Sequence, residues 1–168
     1  LRAQFYLKLG RRLDLKHPRL YNDKLQWIKL YDRDPRYRTF VDKVAVRDYV
    51  AETAGEKYLI PEVARFETWR DIDWASLPDR FALKLAHGSG CNVLCRDKDA
   101  LDIPAAQKKL ERWAKLDWFW PSREWPYLGV KPRVLVEAFL EGENGDVPRD
   151  YKILCFAGVP RYIIVDVD

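Results

Sequence analysis

An α+β fold, with antiparallel sheets and flanking helices, is predicted by three features of the chain. Helical periodicity dominates the first third. Apolar runs of strand length follow at about residues 80–86, 92–96 and 133–140. A strand–turn–strand pattern closes the sequence, with Ala157-Gly158 between the runs 151–156 and 161–165.

The elements are justified in order. Residues 1–40 read as two short helices rich in Leu, Tyr and Arg, and Asn22 or Asp23 is placed to cap the second. Asp42 is placed to cap the next helix, in which Val46, Tyr49, Val50 and Ala54 share one face and are expected to be buried. Gly55 stands where that helix should stop. Residues 59–63 read as extended, and residues 69–79 as a polar connector. Pro104 opens a helix over about 104–116, at a position that tolerates proline. Residues 117–132 are irregular, with Trp118, Trp120, Trp125 and Tyr127 among three prolines.

Composition narrows the function classes. The 168 residues carry 30 basic and 26 acidic side chains, a net charge of +4. This mild excess, with no concentrated basic stripe, argues against a nucleic-acid partner. Three cysteines, Cys91, Cys95 and Cys155, cannot all pair, which fits a reducing compartment. Cys155 alternates with Phe156 and is expected in the core. His87, Cys91 and Cys95 lack the tight spacing of a zinc knuckle, so no metal is assigned to them. No apolar run approaches a membrane span. The chain contains no methionine and opens inside a helical pattern, so we expect the natural protein to extend beyond one end or both.

The most informative stretch is Phe81-Ala-Leu-Lys-Leu-Ala-His-Gly-Ser-Gly-Cys-Asn-Val-Leu94. An apolar strand carries Lys84 just before a loop containing Gly88 and Gly90, and a buried lysine is costly unless it meets a negative charge. Glycines let backbone N–H groups approach an anion. The loop matches neither the Walker A pattern nor GxGxxG. Lys43 adds a cation at a helix N-terminus, where an anion is already favoured. Glu137 interrupts an apolar strand and requires a partner such as an amino group, for which an adenine amine would serve. The backbone of Ala138, Phe139 and Leu140 would then meet the ring edge. Asp150 and Lys152 share one strand face and suit a ribose hydroxyl and a phosphate.

In order and spacing these residues resemble the ATP-grasp superfamily. Three longer motifs, Tyr21-Asn-Asp-Lys-Leu-Gln-Trp27, Phe81-Ala-Leu-Lys-Leu-Ala-His-Gly-Ser-Gly90 and Asp150-Tyr-Lys-Ile-Leu-Cys-Phe-Ala-Gly158, are similar to the TupA-like ATP-grasp proteins of bacterial polysaccharide (teichuronopeptide) biosynthesis. The resemblance runs from about residue 20 to the end.

That resemblance implies an ATP-grasp-like fold, incomplete at the C-terminus, with ATP held between two subdomains. It implies an N-terminal helical segment (1–40), a lid subdomain with linker (41–132), and the start of a large subdomain (133–168). Lys43 and Lys84 match phosphate-side lysines, and Gly88, Ser89 and Gly90 the mobile phosphate loop. Glu137, Ala138, Phe139 and Leu140 match the adenine hinge. Asp150 matches a ribose-binding acid, and Lys152 is assigned to a further phosphate. Lys84 and His87 are the candidates for contact with the reacting groups. The cofactors implied are ATP and Mg²⁺. The family's metal ligands have no counterpart here; Asp166 and Asp168 read as a strand-end charge pair.

The function implied is a cytoplasmic Mg-ATP-dependent ligase that joins an amino acid or amine to a carboxylate of a cell-surface polysaccharide or its precursor. Positioning and charge neutralisation by lysines would carry such chemistry without a protein nucleophile. Two alternatives stand beside it: an ATP-dependent sugar or glycan kinase, and a non-catalytic nucleotide- or partner-binding module. The tryptophan-rich segment suits either sugar stacking or packing, and packing is favoured. The N-terminal apolar residues Phe5, Leu7, Leu9 and Leu13 suit either peripheral contact with membrane-bound glycan assembly machinery or docking within the protein, and docking is favoured.

Overall fold

Helical periodicity in the first third resolves into four helices in the computed structural model, which describes residues 1–142, 145–146 and 148–166. These are α1 (Arg2–Leu9), α2 (Tyr21–Tyr31), α3 (Arg36–Val41) and α4 (Ala45–Thr53), so residues 1–40 hold parts of three helices rather than two. Neither Asn22 nor Asp23 caps α2, which begins one residue earlier without a side-chain cap. Asp23 is instead a buried first-turn carboxylate, held by Arg11 at 2.9 and 3.0 Å. A negative charge is favoured in that turn, and a buried one requires a cation.

The capping role of Asp42 does hold. Its Oδ1 accepts the N–H groups of Val44 (2.9 Å) and Ala45 (3.2 Å). Gly55, at φ 102°, follows the end of α4. The expected buried face of α4 is corrected. Val44 and Arg47 are buried, whereas Tyr49 and Ala54 are exposed. A carboxylate on the neighbouring sheet draws Arg47 inward and sets the helix phase.

The first sheet contains β1 (Glu62–Phe66), β2 (Phe81–Leu85), β3 (Asn92–Cys95) and β4 (Val134–Ala138). Its order is β1-β4-β2-β3, and every neighbouring pair is antiparallel. Thus β4, which follows the expected boundary at residue 133, lies between β1 and β2. One face of the sheet carries Phe81, Leu83, Leu85, Val93, Cys95, Val134 and Val136. This face packs against Ala106 and Leu110 of α5 (Ile103–Ala114), with Ile72 and Leu77 filling in. Asp102 caps α5 by accepting from Ala105 N–H at 2.9 Å, and Pro104 lies in its first turn.

The opposite face is only partly covered. Leu135 packs there with Val44 and Ala86, and residues two apart on each strand place Lys84 and Glu137 on the same side. The segment after α5 forms the short helix α6 (Phe119–Ser122) and a 3₁₀ turn at Trp125–Tyr127. Trp118 and Trp125 are half-buried, and Trp125 Nε1 donates to Asp32 O at 2.7 Å, as packing requires.

A separate two-stranded sheet pairs β5 (Asp150–Phe156) with β6 (Val159–Asp166). Ala157 and Gly158, at φ 50° and 79°, make the tight turn. Side chains on both faces are exposed, so Cys155 is exposed rather than in the core. Among the described residues no helix is long and apolar enough to cross a membrane.

Candidate functional site

Strand register brings Lys84 and Glu137 together. Lys84 stands opposite Leu135, and Glu137 stands opposite Ala82, so the two are diagonal neighbours on adjacent strands. Lys84 Nζ lies 2.5 Å from Glu137 Oε2. The contact is an ion pair rather than a hydrogen bond. Glu137 Oε1 accepts from Arg47 Nη1 at 2.5 Å. Arg47 also reaches Glu62 Oε2 from Nε (3.1 Å) and Ile60 O from Nη2 (2.6 Å).

The result is a compact quartet of two cations and two carboxylates. Glu137 and Arg47 are 5% and 8% exposed, and burial at that level is tolerable because each charge has a partner. Glu137, expected to meet an adenine amine, therefore meets two protein cations in this structure.

Lys43 is the cation left over. Among the described residues it has no carboxylate within ion-pair distance, and its Nζ donates to the Gly88 carbonyl. Burial pushes its ammonium below the usual lysine value. The charge of Lys84 pushes the same way, while Cys91, Asp42 and Glu137 oppose it. Lys43 and Lys84 therefore share one neighbourhood, with Lys43 lacking an ion-pair partner among the described residues.

The glycine loop leaves the sheet beside these lysines. Leu85 N–H bonds to Cys91 O at 3.1 Å and closes the β2–β3 connection. Ala86 accepts from Lys43 N–H (3.2 Å) and donates to Arg133 O (2.8 Å). Gly88 lies against Trp118: a Cβ there would fall 2.0 Å from the indole Nε1. Gly90, at φ 72°, reverses the chain.

His87 lies beneath the loop, 5% exposed. Its Nε2 is 3.1 Å from Trp113 O, and a carbonyl only accepts, so Nε2 carries the proton of the neutral ring. Burial, reinforced by Lys43, holds the imidazole below its ordinary value against the two backbone carbonyls that raise it. Its Nδ1, like Trp118 Nε1, is buried without a partner among the described residues.

The remaining candidates lie in two other places. Ala138 N–H is taken by Pro61 O at 2.9 Å. Phe139 has the guanidinium groups of Arg80 and Arg96 over its ring at 4.8 and 5.6 Å, and Leu140 is exposed. On the hairpin, Lys152 pairs with Asp150 (2.9 Å) and Asp166, which push its ammonium up to about 12. Asp166, read from the sequence as a strand-end charge pair with Asp168, pairs with Lys152, and Asp168 lies outside the described residues. Among the described residues, no hydrogen bond or ion pair joins Asp150 or Lys152 to Lys43, Lys84 or Glu137.

Sequence reasoning missed Arg47. In a charged helix it reads as a solvent-facing residue, and the signal available was its position three after Val44 together with the unpaired Glu137.

The set fits an anionic, acceptor-rich group such as a nucleotide's phosphates. It offers one ammonium without an ion-pair partner among the described residues, a second lysine beside it, a glycine loop, and one orphaned donor, Trp118 Nε1, beneath that loop. It does not fit a metal ion, because no group of His, Cys, Asp and Glu among the described residues could hold one. A family model described as TupA-like ATPgrasp matches residues 23–168. No curated protein and no solved structure matches the chain.

Proposed function

The chain belongs to the TupA-like ATP-grasp family, whose members are of ATP-dependent ligase type, and on that premise we propose a specific reaction for it. The protein acts as a Mg-ATP-dependent ligase that joins an amino acid or amine to a carboxylate of a cell-surface polysaccharide or its precursor. The observation that carries this reading is the convergence of Lys43 and Lys84 at the glycine loop, with Lys43 lacking a carboxylate. In the reaction, a carboxylate oxygen takes the γ-phosphoryl group of ATP and ADP leaves. The amine then attacks the acyl carbon, and phosphate departs.

The chain's own residues position and neutralise. Lys43 and Lys84 hold phosphate oxygens, and Gly88, Ser89 and Gly90 present backbone N–H groups over them. His87 offers Nδ1 as an acceptor where the loop lifts from Trp118. Glu137 and the backbone of residues 138–140 border the adenine, with Asp150 at the ribose and Lys152 at a further phosphate. In this proposal the four-stranded sheet serves as the phosphate-side lid, and the β5–β6 hairpin belongs to the second unit. No step is assigned to Mg²⁺, since the described residues offer it no ligand cluster. ATP supply favours the cytoplasm as the place of reaction.

A second reading is a module that binds nucleotide without turnover. Calorimetric titration of Mg-ATP into the protein, with Lys84→Ala and Glu137→Gln alongside, tests the nucleotide site. Saturable binding that weakens in both variants supports it, and absence of binding by the folded protein overturns it. Acyl phosphate and amide among the products separate a ligase from a glycan kinase, which leaves a stable phosphate ester; no turnover leaves the binding module.

A further inference from the structure

A cavity of about 540 Å³ opens between α3, the start of α4 and the segment leading into β4. That volume lies within the range of small-molecule sites. Its charged and hydroxylic lining is Arg38, Thr39, Asp42, Glu67, Lys131 and Arg133, with residues 128–130 completing the wall. The charges are not balanced. Asp42 is already committed, its Oδ2 to Arg133 Nη2 at 2.7 Å and its Oδ1 to two backbone N–H groups. Arg133 is thereby neutralised, and its Nε is buried away from the cavity. Among the described residues, Arg38 and Lys131 pair with no carboxylate; the Arg38 guanidinium lies 5.7 Å from the Trp125 ring centroid. Glu67 is the single acid facing them without an ion-pair partner among the described residues.

Two uncommitted cations, Arg38 and Lys131, beside one uncommitted carboxylate select a ligand that carries both signs of demand. An oxyanion satisfies Arg38 and Lys131. Hydroxyl groups satisfy Glu67 and Thr39, which a bare anion would leave repelled or unbonded. We propose that this cavity binds the oxyanion, carboxylate or phosphate, of a hydroxylated ligand of the sugar-acid class.

Its position ties it to the lysine site. Asp42 on its wall directly precedes Lys43. Lys43 N–H bonds to Ala86 O, and Ala86 N–H bonds to Arg133 O. Three chain segments therefore run side by side from the cavity to the glycine loop. The bound oxyanion is held next to the place proposed for phosphoryl transfer, and its role as the acceptor's recognition group rests on that proposed function.

The test is an NMR-detected titration of the purified protein with glucuronate, with glucose 6-phosphate and with glucose, alongside calorimetric titration of Mg-ATP. The variants are Arg38→Ala/Lys131→Ala and Glu67→Gln. Both double-variant positions are exposed, so the fold should survive, and a thermal melt checks it. The expected result is saturable binding of one or both anionic sugars, weakened about tenfold or more in the double variant, with glucose not bound and Mg-ATP affinity unchanged. Glu67→Gln should preserve or strengthen the interaction. Binding of glucuronate alone identifies a carboxylate acceptor, and binding of glucose 6-phosphate alone a phosphorylated one. No binding of either, equal binding of glucose, or binding indifferent to the double variant overturns the site. Failure here with Mg-ATP still bound leaves the nucleotide reading intact, whereas loss of Mg-ATP binding with the sugar acid still bound overturns that reading and not this one.

Discussion

Glu137 holds Lys84 and Arg47 at once, one on each carboxylate oxygen and each at 2.5 Å. Lys84 belongs to a neighbouring strand and Arg47 to a helix, so one buried carboxylate fixes α4 and the lysine that faces the glycine loop. The arrangement answers the question raised by a single acid in an apolar strand: its partners are cations from two other elements.

Glu137→Gln should therefore destabilise the protein. The substitution leaves Arg47 with Glu62 and the Ile60 carbonyl, and Lys84 is a quarter exposed, so solvent relieves part of the loss. We expect a loss of about 2–3 kcal/mol, below the 3–5 kcal/mol typical of fully buried broken pairs. Urea denaturation measures it. Arg47→Met should cost a similar amount, and the double variant Arg47→Met/Glu137→Leu less than the sum of Arg47→Met and Glu137→Leu. Additive costs would show that the two residues act independently.

Lys84, Glu137 and the glycine loop were legible in the sequence because charge inside an apolar strand has few explanations. Strand positions were also legible, since Phe81–Leu85 and Val134–Ala138 are apolar runs each interrupted by a single charge. Arg47 was not. Apolar spacing assigned α4 a face through Val46, Tyr49 and Val50, but the phase of a short helix answers to what it packs against. Here the neighbour is a carboxylate, so an arginine is buried and a tyrosine is left at the surface. Cys155 was misplaced for a related reason. Alternation identifies a strand and its two faces, but not whether anything covers either face.

Gly88→Ala tests the packing of the loop on Trp118. A Cβ would meet three indole atoms at 2.0–2.6 Å, closer than any van der Waals contact. The ring or the loop must move, at a cost of about 1–3 kcal/mol. In a Trp118→Leu background the same substitution should cost less than half as much. Thermal or urea melts of the four proteins decide it, and an undiminished cost in the Leu background would place the strain elsewhere.

His87 makes stability depend on acid. Its ring is held neutral by burial, so its folded pKa lies below the unfolded value of about 6.5. The unfolded chain takes up a proton near that pH while the folded chain resists. Stability is therefore fully present above about pH 6.5 and declines as pH falls below it, until the folded ring itself protonates. His87→Gln retains an N–H to bond Trp113 O but does not titrate. The slope of unfolding free energy between about pH 7 and pH 5.5 should be shallower in the variant. Equal slopes would remove His87 from the acid response.

Lys43 gives nucleotide binding its own pH signature. In the free protein its ammonium is pushed down by burial and by Lys84. A phosphate placed between the two lysines raises it again, because an opposite charge favours the protonated form. Between the lowered value and the ligand-bound one, binding must take up a proton, and affinity must fall as pH rises through that window. Calorimetry of Mg-ATP from about pH 7 to about pH 10, in buffers of different ionisation enthalpy, reads both effects. Lys43→Met should weaken binding about tenfold near neutral pH and abolish the proton uptake, since the loss is that of one charge-assisted contact. A variant that keeps the wild-type proton uptake would show that another group supplies it, and would move the phosphate away from Lys43.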